Sequence, residues 1–107
     1  MMVIEMREAA QEKALDLVEE LHEYVMSKQV LRSGTSIGAN VHEANYAISK
    51  PVFITKLQIA VKEAAETEYW IIVMERSGYF DDRFSELKRL LHSTKRMLVS
   101  SLNTAKG

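Results

Sequence analysis

The residues of this 107-residue chain that could do chemistry are carboxylates and imidazoles at helical spacing. Glu19-x-x-His22 places a carboxylate and an imidazole one helical turn apart, which is a quarter of a dinuclear carboxylate centre in a helical bundle. Such a centre needs a second Glu-x-x-His pair and one Glu from each of two further helices. His42 and His92 have Ala39 and Arg89 three residues before them, so the second pair is missing. No metal and no cofactor are expected. Glu63 and Glu66 share one side of a later helix, where carboxylates at that spacing more often line a wet face or an oligomer contact than move protons. The chain has no cysteine, which removes thiolate nucleophiles, thiolate zinc sites and disulfides. It also lacks a phosphate loop, a nucleophile elbow and a dinucleotide fingerprint. No catalytic residue is assigned, and the chain is expected not to be an enzyme.

Charge is the next source of function. A formal net charge of −1 argues against coating nucleic acid by bulk charge. The distribution is polar along the chain. Residues 1–26 carry Glu5, Glu8, Glu12, Asp16, Glu19, Glu20 and Glu23 against Arg7 and Lys13. Residues 83–107 carry Arg83, Lys88, Arg89, Lys95, Arg96 and Lys106 against Glu86 alone. Two readings follow: the two ends are neighbouring helices whose solvated faces attract, or the basic end is a binding surface. On the second reading, Arg83, Lys88, Arg89, Lys95 and Arg96 are the candidate nucleic-acid contacts. Lys28, Arg32 and Lys50 form a second candidate group.

The elements that must position these residues are helices. With 47% hydrophobic residues, 4 Gly and 1 Pro, the chain has too few breakers for the frequent turns of an all-β fold. Its amino-terminal residues are charged by Glu5 and lack a signal-peptide pattern, and no run approaches the roughly 18 apolar residues of a membrane span. A cytoplasmic location without membrane contact is the expectation. Apolar spacing predicts helices at about 5–26, 29–48, 50–77 and 82–103, with a polar break around Ser27 and Lys28. Ser49 is placed to cap the third, with Pro51 in its first turn; Gly78 ends it, and Asp81 or Asp82 caps the fourth. The third helix has the broadest stripe: Phe53, Leu57, Ala60, Ala64, Thr67, Ile71 and Met74, widened by Ile54, Val61, Ala65 and Ile72. Short connections force antiparallel neighbours, so the expected fold is all-α, one domain over residues 1–107, an up-down-up-down four-helix bundle.

The second helix has an unusual interior. Gly34 and Gly38 together cost about 2 kcal/mol relative to alanine, which a close backbone approach by another helix would offset. Ser33, Ser36, Asn40 and Glu43 form a polar stripe beside Ile37, Val41 and Ala44. Asn40 and Glu43 either tie down neighbouring helices or loop ends or line a groove for a partner, the structural role being favoured.

Here the chain becomes recognisable. The run from Gln29 to Ala44, containing Ser36-Ile37, Asn40 and Glu43, is followed by Phe53, Lys56-Leu57 and Lys62-Glu63-Ala64-Ala65-Glu66-Thr67-Glu68-Tyr69-Trp70. Over about residues 10 to 105 it resembles the bacterial four-helix-bundle proteins named for the intervening sequence of 23S ribosomal RNA genes. Ala65 and Glu68 depart from that pattern, which bears on subunit contacts. The resemblance implies a ring-like homopentamer and kinship with the accessory protein of diversity-generating retroelements, which binds nucleic acid and a reverse transcriptase. It supplies no catalytic position. The expected function is a homo-oligomeric interaction module that binds RNA, DNA or a nucleoprotein through basic side chains. The alternative is a structural or protein-binding assembly with no nucleic-acid affinity. Trp70, Tyr69 and Tyr79 are expected in the core or a subunit interface.

Overall fold

The computed structural model describes residues 24–78 and 82–107. Among these, the chain forms three α-helices and no strand: α1 (Tyr24–Asn45), α2 (Lys50–Arg76) and α3 (Asp82–Lys106). The expected first helix lies outside the described residues, except for 24–26, which belong to α1. The expected break at Ser27 and Lys28 is absent, because Ser27 is buried and continues the stripe of Val30, Ile37, Val41 and Ala44. Neither Gly nor Pro stands there to interrupt the backbone ladder. At its other end α1 stops three residues before the expected 48. Tyr46 and Ala47 donate to the carbonyls of Glu43 and Ala44, a tightened final turn, and Ser49 is already extended (φ −154°, ψ 160°) to start the next helix.

The boundaries of α2 follow from local chemistry. The Ser49 hydroxyl accepts from the Val52 amide at 3.3 Å, and Pro51 occupies the first turn, where a missing N–H costs nothing. At the far end Ser77 donates to the Val73 and Met74 carbonyls, and Gly78 adopts φ +90° while donating to Glu75. An L side chain is strained at that φ.

Ion pairs and hydroxyl contacts give the direction of each helix. Between α1 and α2, Glu43 meets Lys56, whereas Ser33 and Arg32, earlier in α1, meet Thr67 and Glu66, later in α2. Between α2 and α3, Glu75 meets Lys88 and Glu68 meets Lys95, again in opposite order. Both pairs are antiparallel. α2 is central and packs against α1 and α3, which do not pack against each other. Its buried face is Leu57, Ala60, Ala64, Thr67, Ile71 and Met74, spaced three and four apart, with Phe53 half-buried. The two alanines are fully buried and let the neighbouring helices approach. α1 contributes Val30, Ile37, Val41 and Ala44, and α3 contributes Phe84, Leu87, Leu91 and Leu98. The expected widening of the α2 stripe holds at Ile54 and Val61, which are half-buried, and fails at Ala65 and Ile72, which are exposed. No described helix is long and apolar enough to cross a membrane.

The close approach expected at Gly34 is not present within the described fold. Among the described residues a Cβ built there meets nothing within 4 Å, so they give no packing return for the entropic cost of glycine at that position. Gly38 is buried. Gly34→Ala is therefore expected to raise stability by about 1 kcal/mol. Gly78→Ala is expected to lower it by roughly 1–2 kcal/mol. Urea melts of the two variants check this, and a loss on Gly34→Ala contradicts the open space around it.

Candidate nucleic-acid interface

The polar residues of α1 and α2 meet at one place on their shared face. Arg32 is the hub: its guanidinium contacts the Glu66 carboxylate, lies 3.7 Å from Glu63 Oε2, and its Nε donates to Gln29 Oε1 at 3.0 Å. The Trp70 indole donates to the same Glu66 oxygen at 3.4 Å. Beneath them the Ser33 and Thr67 hydroxyls lie 2.7 Å apart. The Gln29 carbonyl oxygen is 2.9 Å from the serine hydroxyl and that of Glu63 is 2.8 Å from the threonine hydroxyl. One hydroxyl can therefore donate across the interface while the other donates to its own helix. Glu63 and Glu66 accordingly face α1, which corrects their expected place on a wet face or oligomer contact. Arg32 is engaged by both while half of its side chain stays exposed.

Asn40 does not reach a neighbouring helix. Its side-chain nitrogen donates to the Ser36 carbonyl at 2.9 Å and lies 3.3 Å from the Ser36 hydroxyl, so the pair closes on its own helix. Glu43 does cross, meeting Lys56 Nζ at 2.6 Å. Trp70 is half-buried against the core. Tyr69, expected in the core or an interface, is exposed and touches Trp70 edge to face. Tyr79 lies outside the described residues.

The bases of α3 divide into two rows. Lys88 and Lys95, seven residues apart, turn toward α2 and meet Glu75 at 2.8 Å and Glu68 at 3.8 Å. Arg89 and Arg96, also seven apart, are exposed and make no ion pair among the described residues. The helical period puts the two rows about 100° apart. Arg83 is half-buried at the start of α3. The second candidate group is not brought together: Lys28 and Lys50 are exposed at opposite ends of the α1–α2 pair, roughly 25 Å apart at about 1.5 Å per residue.

Sequence spacing alone missed a cleft along the α2–α3 seam. Two open grooves, of about 730 and 390 Å³, lie along it and share Glu68 and His92 in their lining. Lys88, Arg89, Lys95 and Arg96 line them from α3, with Ile72 and Val99 as exposed apolar surface. The available signal was His92, which stands three residues after Arg89 and four before Arg96 on the same side of the helix. Among the described residues no group of three or more His, Cys, Asp and Glu could hold a metal ion. A separate apolar patch lies at the α1–α2 turn, where Ile48 is 95% exposed, Tyr46 74% and Val52 38%.

The chain is similar to known proteins over nearly all its length. The family model described as 23S rRNA-intervening sequence protein matches residues 4–100. A crystal structure of a protein of unknown function from Bacteroides thetaiotaomicron, assigned to the S23 ribosomal protein family, is 40% identical. It superposes with a TM-score of 0.78, covering 91% of this chain and 97% of that one. No curated protein matches the chain. With residues 4–100 spanned by the family model and the same helical fold in a relative of 40% identity, the chain belongs to the 23S rRNA-intervening sequence protein family.

Proposed function

We propose that this protein is a non-enzymatic interaction module that binds RNA, or a nucleoprotein, through the basic side of α3. The observation that carries the reading is the row of Arg89 and Arg96, exposed and free of ion pairs among the described residues. Guanidinium groups are always charged and match phosphate oxygens with paired donors. Lys88 and Lys95 stand beside them as a reserve. Their pairs with Glu75 and Glu68 are partly exposed, and such pairs contribute at most about 1 kcal/mol, so a phosphate can compete for the lysines.

The module belongs, on this reading, to a homo-oligomer whose subunit is a four-helix up-down bundle. A ring of five follows the resemblance noted from the sequence. Repetition matters because a modest basic row per subunit becomes a band whose contacts act together. A second reading, assembly without nucleic acid, is favoured by the apolar patch of Tyr46, Ile48 and Val52, which a protein partner or second subunit would cover. Fluorescence anisotropy with a structured RNA separates the two. Arg89→Glu together with Arg96→Glu is expected to weaken binding about tenfold or more. No RNA binding by the wild type, with a solution mass above the monomer, favours the second reading, and unchanged binding in the variant overturns the assignment to Arg89 and Arg96.

A further inference from the structure

The two α2–α3 grooves share Glu68 and His92 in their lining and lie end to end along the seam, together forming a trough. From Lys88 to Thr104 along α3 the trough extends roughly 24 Å at about 1.5 Å per residue. Basic residues bracket its centre on both sides: Lys88 and Arg89 before it, Lys95 and Arg96 after it. Apolar surface from Ile72 and Val99 lies inside, and one acid, Glu68, stands at the junction with Lys95 Nζ 3.8 Å from its carboxylate. Packed helices have axes about 8–10 Å apart, which leaves room along their seam for a single extended strand and not for a double helix.

Resting on the basic-side reading above, we infer that the trough takes a single-stranded polynucleotide, and that Glu68 is a negative specificity element that holds Lys95 and opposes the backbone. The strand's phosphates meet the bracketing bases while its nucleobases cover Ile72 and Val99. Binding requires Lys95 to exchange a carboxylate for a phosphate. The uncompensated Glu68 carboxylate then lies against the bound strand. Affinity is thereby kept below what the bases alone would give, a balance that suits exchange of the strand. A polyanion lying on the outer side of α3 would meet Arg89 and Arg96 without approaching Glu68, so the two placements differ in their response to this one acid.

The test is Glu68→Gln in the full chain, titrated against fluorescein-labelled oligo-uridylate and oligo-thymidylate of about a dozen nucleotides and against a duplex of the same length, across a salt series. Glu68→Gln is expected to bind the single strands roughly two- to fivefold more tightly, since it removes one like-charge contact at a partly exposed site. It is also expected to steepen the salt dependence by about one, as Lys95 becomes a full phosphate contact. Lys95→Ala should weaken binding in the wild-type background and cancel most of the gain when combined with Glu68→Gln. If charge reversal of Arg89 and Arg96 abolishes binding while Glu68→Gln leaves it unchanged, the strand lies outside the trough; the inference fails and the basic-side reading stands. Tighter binding of the duplex than of either strand overturns the single-strand assignment. Absence of any wild-type binding removes both.

Discussion

Phe84→Ala is expected to lower the unfolding free energy by roughly 3–5 kcal/mol, the range for deleting a fully buried phenylalanine. Phe84 is 0% exposed and sits in the first turn of α3, two residues after Asp82. Its ring fixes the end of a helix that meets the rest of the described fold only through α2. The loss is a large share of the roughly 5–15 kcal/mol typical of a small protein, which leaves the variant marginally folded, and Phe84→Leu supplies the graded control at about 1 kcal/mol. Urea denaturation followed by circular dichroism reads both. Equal stability of the alanine and leucine variants contradicts the burial on which the packing of α3 rests.

The second large effect concerns Arg32. Glu63 is only 9% exposed, and Arg32 is the cation that reaches its Oε2. Removing one partner of a buried pair commonly costs about 3–5 kcal/mol, because the remaining charge is left without compensation. Arg32 is half exposed, and water screens part of that penalty, so about 1–3 kcal/mol is expected for Arg32→Ala. Most of that cost belongs to the stranded glutamate. Arg32→Met combined with Glu63→Leu is therefore expected to be less damaging than Arg32→Ala alone. A double-mutant cycle by urea melts checks the ordering, and strict additivity would mean that Arg32 and Glu63 do not interact.

These residues also mark how far the sequence is legible. The α2 stripe from Leu57 to Met74 can be read from spacing because every member repeats the helical period on a single face. Ser49, Pro51 and Gly78 can be read because each solves a specific backbone problem at a helix end. The polar pair Ser27-Lys28 imitates a helix terminus in composition, yet serine costs a helix interior little and Ser27 is buried within α1. Gly34 misleads in a related way: small residues permit a close approach, but only the positions of the neighbours decide whether one occurs.

The candidate interface is legible in composition and not in arrangement. The bases of α3 are visible in the sequence, but the division of Lys88 and Lys95, engaged with Glu75 and Glu68, from the exposed Arg89 and Arg96 depends on which side of α3 meets α2. Arg32 separates from the other bases only once Glu63 and Glu66 are placed opposite it. Lys28 lies near the start of α1 and Lys50 opens α2, so most of the length of α1 runs between them. Long-range pairings of this kind carry no signal in local periodicity.

The most direct measurement of the central claim is the salt dependence of RNA binding by the wild-type chain and by Arg89→Ala with Arg96→Ala. Plotting the logarithm of Kd against that of salt concentration counts the phosphates neutralised. Measurable wild-type binding with a steep slope is expected, and a slope shallower by about two per bound subunit in the double variant. Identical slopes, or a wild-type protein that does not bind RNA at low salt, would contradict it.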